Sequence, residues 1–262
     1  MVIALGGLIY IRQWIFTTYW FISFGADATL AARQVILLSP LIVCAAALLF
    51  LIVPIRAPHA GGSAQLAPRT LFSFASRGWL ATVAAITAAI VLISILAGIA
   101  SRPDEHGRHV LYNLAGSTGY TASSTIYGWW FSIPCLVIIA VVIAIALVDL
   151  AVISCPPLGV DREGDAERRR SRTRNVLTVS AGGLLLNLGA IFGSLSGTSM
   201  LSFGVEVENV GQVVVGTPFA VMGPAFVGAS YLADVIGFAM WWGVLLTAAF
   251  TRARRTVVSV AQ

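Results

Sequence analysis

Ile133-Pro-Cys-Leu-Val-Ile-Ile-Ala-Val-Val-Ile-Ala-Ile-Ala-Leu-Val-Asp-Leu-Ala-Val-Ile-Ser154 contains a single charged side chain, Asp149, and its reading decides the class of this protein. The hydrocarbon core of a bilayer is about 30 Å thick, a distance that roughly 20 helical residues cross. A helix suits that solvent because it satisfies its own backbone hydrogen bonds where no water is available. Water offers no comparable reason for such a run.

Working outward, Val35–Ile55, Leu80–Ala100 and Val176–Ser196 meet the same test. Ala229–Phe250 meets it with one acidic interruption, Asp234. Met1–Phe24 carries Arg12 and Gln13 in its middle. No basic region precedes it and no small-residue cleavage site follows, which argues against a signal peptide. It reads as a first helix with a buried charge; the alternative is a short helix ending near Ile11, then an interfacial segment. The expectation is an all-α integral membrane protein. It is a polytopic bundle of about six transmembrane helices in a single domain, residues 1–262, with helices near 1–24, 35–55, 80–100, 133–154, 176–196 and 229–250.

Composition agrees. Hydrophobic residues make up 58% of the chain and charged residues 10%, with a mean hydropathy of +0.90. Soluble domains carry about 25% charge. All sixteen basic residues are Arg, which with abundant Ala, Gly and Val suggests a GC-rich, actinobacterial genome. Cys44, Cys135 and Cys155 have no paired spacing, so no disulfide framework or zinc site is implied.

Arginine placement sets the orientation. With the N-terminus inside, Arg56, Arg69, Arg77, Arg162, Arg168, Arg169, Arg170, Arg172, Arg174, Arg252, Arg254 and Arg255 are cytoplasmic, against Arg33, Arg102 and Arg108 outside. That bias places both termini in the cytoplasm of a bacterial plasma membrane. Trp79, Tyr127, Trp129 and Trp130 fall at helix starts, where amphipathic rings favour the headgroup layer. The cytoplasmic loops are then 56–79 and 155–175, and the outer loops 25–34, 101–132 and 197–228. In the last, Ser202–Glu208 and Gln212–Gly216 alternate about Asn209-Val-Gly211, which suggests a small β-hairpin. The apolar Phe219–Val227 is expected to lie in the interface or dip into the bilayer.

Several features invite a function. Gly189, Gly193 and Gly197 recur every four residues and clear one helix face, as Ala81, Ala85 and Ala89 do on another, so that a second backbone can approach. The second backbone belongs either to the same bundle or to another subunit. Arg12, Asp149 and Asp234 are intramembrane charges, each of which needs protein, water or a counter-charge. Asp149 falls toward the cytoplasmic end of its helix and Asp234 toward the outer end, so neither matches Arg12 in depth. An anionic headgroup or a neighbouring subunit is the other candidate partner. Trp241 and Trp242, mid-helix, supply packing area for a neighbouring helix or a long apolar tail. Arg168, Arg169, Arg170, Arg172 and Arg174 suit anionic lipid at the cytoplasmic face or an acidic partner. Nucleic acid is not expected, because no folded platform accompanies these arginines. Asp104, Glu105, His106 and His109 form the only His and carboxylate cluster. Pro103 and Gly107 break it, so a solvated loop is expected rather than a metal site.

There is no phosphate loop, no HExxH and no Ser/His pairing. No two histidines fall in transmembrane runs, so no bis-His haem site is expected. No cofactor is expected, and the chain is not expected to be an enzyme. The first expectation is a non-catalytic subunit of a larger membrane complex, respiratory or transport. The second is the permease subunit of an ATP-driven transporter whose ATPase is a separate chain. A membrane-embedded enzyme acting on lipid ranks third.

Overall fold

The computed structural model describes residues 26–52, 74–115, 121–154, 162–207 and 211–260. Five helices dominate: α1 (Ala26–Leu51), α2 (Arg77–Ala100), α3 (Trp129–Ser154), α4 (Arg162–Ser199) and α5 (Gly223–Val260). All five are long and apolar enough to cross a membrane, the architecture of a multi-pass membrane protein. The expected first helix, residues 1–24 with Arg12, lies outside the described residues, as does Cys155.

The helices overrun the bounds that hydropathy predicts. Residues 25–34, expected as a loop, mostly belong to α1, which begins at Ala26. Residues 162–175, expected as the greater part of a cytoplasmic loop, are the opening turns of α4. The physical reason is that apolarity marks what lipid touches, whereas Ala, Glu and Arg extend a helix readily into water. At 1.5 Å per residue the 38 residues of α4 reach about 57 Å, nearly twice the hydrocarbon core. Phe219–Val227 does not lie apart from the bundle: a 3-10 turn, Ala220–Met222, leads directly into α5.

Local chemistry explains the breaks. Ser76 caps α2 by accepting the Trp79 backbone N–H. Pro40 sits inside α1 without an N–H, which frees the carbonyl of Ile36. The Ser39 hydroxyl donates to that carbonyl at 3.1 Å, so the helix continues.

The protein is mostly helical, as expected, with the small hairpin that the sequence suggests and a further sheet that it does not. Residues 101–132 hold an antiparallel sheet, ordered β1 (Arg102–Pro103), β2 (His109–Ala115), β3 (Thr121–Thr125). Leu111 pairs with Thr125, and Ala115 with Thr121. The predicted hairpin is present as β4 (Ser202–Val207) and β5 (Gly211–Gly216), with Ser202 opposite Gly216 and Val207 opposite Gly211. Gly211 adopts φ +86°, a left-handed conformation that glycine takes without strain. Tyr112 of β2 meets Phe219 edge-on at 5.5 Å, which joins the first sheet to the entrance of α5.

α4 is the hub, touching every other described helix, whereas α5 packs chiefly on α4. Its apolar window is 72% buried, against 17% for that of α5. One core, toward the sheets, joins Leu37, Ile90, Phe131, Leu184 and Ile191 beneath Val110 and Ile126. A second, toward the arginines, joins Cys44, Leu48, Val142, Val179, Leu186 and Trp241. Between them Asn187 donates to the Leu37 carbonyl at 2.7 Å and ties α4 to α1.

Candidate functional site

Sequence singled out three groups of residues, and the structure sends them to different places. The first is the seam between α4 and α5. A Cβ on Gly189 would strike the Asp234 carboxylate, and the Ser230 hydroxyl donates to the Gly189 carbonyl at 2.8 Å. Gly189 therefore faces the chain's own α5. Gly193 lies looser, with Ser230 Oγ 3.5 Å from its would-be Cβ, and Gly197 faces open space. The glycine stripe is thus one packing contact that opens toward the sheet end.

A second tight contact in the seam involves glycines that spacing did not reveal. A Cβ on Gly182 would lie 2.5 Å from Trp241 Cδ1 and 3.1 Å from the Gly237 carbonyl oxygen. Trp241 fills that gap, fully buried, and its indole N–H donates to the Val179 carbonyl at 3.0 Å. Trp242 points away and is half exposed. The two tryptophans expected to act alike are divided by the 100° step of the helix. A signal existed in Gly182, Gly189 and Gly237, but only knowledge of which faces meet makes it legible.

The second group is the intramembrane charges. Asp149 is buried on α3, and neither carboxylate oxygen has a hydrogen-bond partner among the described residues. Arg172 supplies it with an attractive charge. Asp234 is half buried and its Oδ1 is likewise unpartnered. The two acids sit on different helices, α3 and α5, and no contact joins them among the described residues.

The third group lies at the arginine-rich end, where the structure divides the five residues. Arg172 donates to the Leu51 carbonyl at 2.9 Å, and Arg169 donates to the Ile153 carbonyl. Both carbonyls lie in the last turn of a helix, α1 and α3, where no intrahelical N–H remains for them. Two residues expected to meet lipid therefore close helix ends, and the positive charge suits the negative pole of each helix. Arg169 also stacks over Phe74 at 6.0 Å. Arg168 reaches back to the Gly164 carbonyl of its own helix at 2.9 Å. Arg170 and Arg174 are exposed and line a cleft of ≈ 510 Å³ between α4 and the start of α2, with Ser76, Trp79, Glu167 and Leu177.

The alanine stripe of α2 meets none of these. Ala81 and Ala85 are exposed and Ala89 is half buried.

At the opposite end the cluster expected as a solvated loop is an ordered turn. Asp104 accepts the backbone N–H of His106 and of Arg108, and the Arg108 guanidinium at 2.7 Å. His109 lies in β2, so it shares no helical face with His106. Arg108 also bridges to Asp27 at 2.7 Å, which fastens the sheet to the start of α1. Desolvation opposes ionisation of Asp104, but the hydrogen bonds from Arg108 and His106 outweigh it and hold the carboxyl below its ordinary range. Asp27 and Asp104 in turn raise the Arg108 guanidinium above its own.

No family model, curated protein or solved structure matches this chain.

Proposed function

We propose that this chain is a non-catalytic subunit of a larger membrane assembly, respiratory or transport, with its sheets outside the cell and its arginines in the cytoplasm. The observation that supports this reading is a track of small residues on α2 that is exposed among the described residues. Its half nearest the arginines exposes Ala81, Thr82, Ala84, Ala85 and Ala88, whereas its other half exposes Leu92, Ile95, Leu96 and Ile99. Lipid tails pack well on large branched side chains. Small residues instead let a second helix approach closely, which is what drives association where lipid offers no hydrophobic force. The arginine bias supports the orientation.

A permease subunit served by a separate ATPase is the second reading. It is favoured by Arg162–Arg174, which carry α4 about 20 Å beyond its apolar stretch as a rigid lever for a cytoplasmic partner.

Gentle solubilisation from the native membrane, followed by identification of what co-purifies, separates the two. Redox or other membrane subunits in fixed ratio support the first reading, and a stoichiometric ATPase supports the second. A monodisperse lone protein overturns both. Ala85→Leu is expected to release the membrane partner while leaving the isolated chain folded.

A further inference from the structure

We propose that the cleft between the start of α2 and the opening turns of α4 binds one anionic phospholipid, with Arg170 and Arg174 holding its phosphate. Of the five arginines from Arg168 to Arg174, these two make no side-chain hydrogen bond or ion pair among the described residues, whereas their neighbours are committed to carbonyls. They stand four residues apart, so they share one helix face and present two forks to one ligand.

Charge in the cleft limits what fits. Glu167 lines it too and has no ion-pair partner among the described residues, so two guanidiniums and one carboxylate leave a net single positive charge. A phosphodiester, which is a monoanion, balances that charge. The capped start of α2 forms the facing wall through Ser76, and the first-turn N–H groups there add positive potential.

The walls select a lipid over free phosphate. Passing from Arg170 through Arg174 to Leu177 covers about 10 Å of helix in the direction of the bilayer. The half-buried rings of Phe74 and of Trp79, in the first turn of α2, give the cleft its apolar surface beside Leu177. A ligand that fills the cleft is anionic at one end and apolar at the other. Arg169 over Phe74 holds the floor in place, so the site is built before the ligand arrives.

The test uses the full chain in detergent micelles, with Trp79 as the reporter. Phosphatidylglycerol with brominated acyl chains is titrated in, and the signal of Trp79→Phe is subtracted to isolate that ring among the seven tryptophans. Saturable quenching of Trp79 is expected, and phosphatidylcholine with the same chains should quench far less. Each interfacial arginine contributes roughly fivefold, so Arg170→Gln with Arg174→Gln is expected to bind about 30-fold more weakly. Arg168→Gln should leave binding unchanged. Equal affinity in the double variant, or equal quenching by phosphatidylcholine, overturns the proposal. Displacement of the lipid by glycerol phosphate at comparable concentration also overturns it, because the apolar wall would then be idle. Should the double variant fail to fold, salt decides: quenching by phosphatidylglycerol that does not weaken at high ionic strength refutes the site.

Discussion

Gly182→Ala tests the seam on which α5 depends. The added methyl would meet the Trp241 ring at 2.5 Å, and the Gly237 carbonyl at 3.1 Å blocks the way around it. One escape is overpacking, which costs about 1–3 kcal/mol. The other is for Trp241 to swing out and lose its bond to Val179, which inside a membrane bundle is worth about 0.6–2 kcal/mol. The chain takes the cheaper route, so the strain costs about 1–3 kcal/mol, of which the helix propensity of alanine returns at most about 1. Gly197→Ala is the control on the same helix, because nothing lies within 4 Å of its added methyl. There alanine gains up to about 1 kcal/mol in helix propensity. Reversible unfolding in mixed micelles, followed by indole fluorescence, should place the two variants on opposite sides of the wild type. The reasoning fails if both shift equally, or if Gly182→Ala unfolds as the wild type does with Trp241 still buried.

Arg172→Gln should destabilise the protein by about 1–3 kcal/mol, more than Arg168→Gln, because it uncaps α1 and strips Asp149 of its counter-charge. Adding Asp149→Asn should recover part of that loss; no recovery in the double variant would show the two residues act apart. The Asp104 turn gives a pH test. A carboxyl whose folded pKa is depressed stabilises above its unfolded value and loses that contribution as pH falls through the folded one. Protease resistance of residues 102–115 should therefore hold from neutrality to about pH 4 and fall below it. Asp104→Asn should remove that step, and a midpoint above pH 4 would contradict the argument. For orientation, a variant lacking Cys44, Cys135 and Cys155 but carrying Glu105→Cys should react with an impermeant maleimide in intact cells. Arg168→Cys should react only after permeabilisation; the reverse pattern inverts the topology.

The five spans were legible in Val35–Ile55, Leu80–Ala100 and their fellows because hydropathy reports the lipid directly. Their true ends were not, since Arg162–Arg174 reads as loop by charge although Ala, Glu and Arg all favour helix. The hairpin announced itself through Val213-Val-Val215 opposite Phe203 and Val205 about a glycine turn. The first sheet did not, because His109–Ala115 buries Val110 and Leu114 with two half-buried residues and exposed Asn113 between them, and β3 is nearly all Ser and Thr. Contacts between faces, such as Trp241 on Gly182 or Arg172 on Leu51, join residues far apart in the chain. Periodicity within one helix carries no information about them.

Because α1 is closed by Arg172, 121 positions after Leu51, and pinned by Asn187, 150 positions after Leu37, assembly depends on the order of synthesis. At about 5–20 residues per second, the carbonyl of Leu51 waits roughly 6–24 s for its donor to leave the ribosome. The earlier helices enter the bilayer before the element that organises them has been made. Whatever machinery inserts this protein must keep that nascent, half-built set from committing to other neighbours until the keystone helix is delivered.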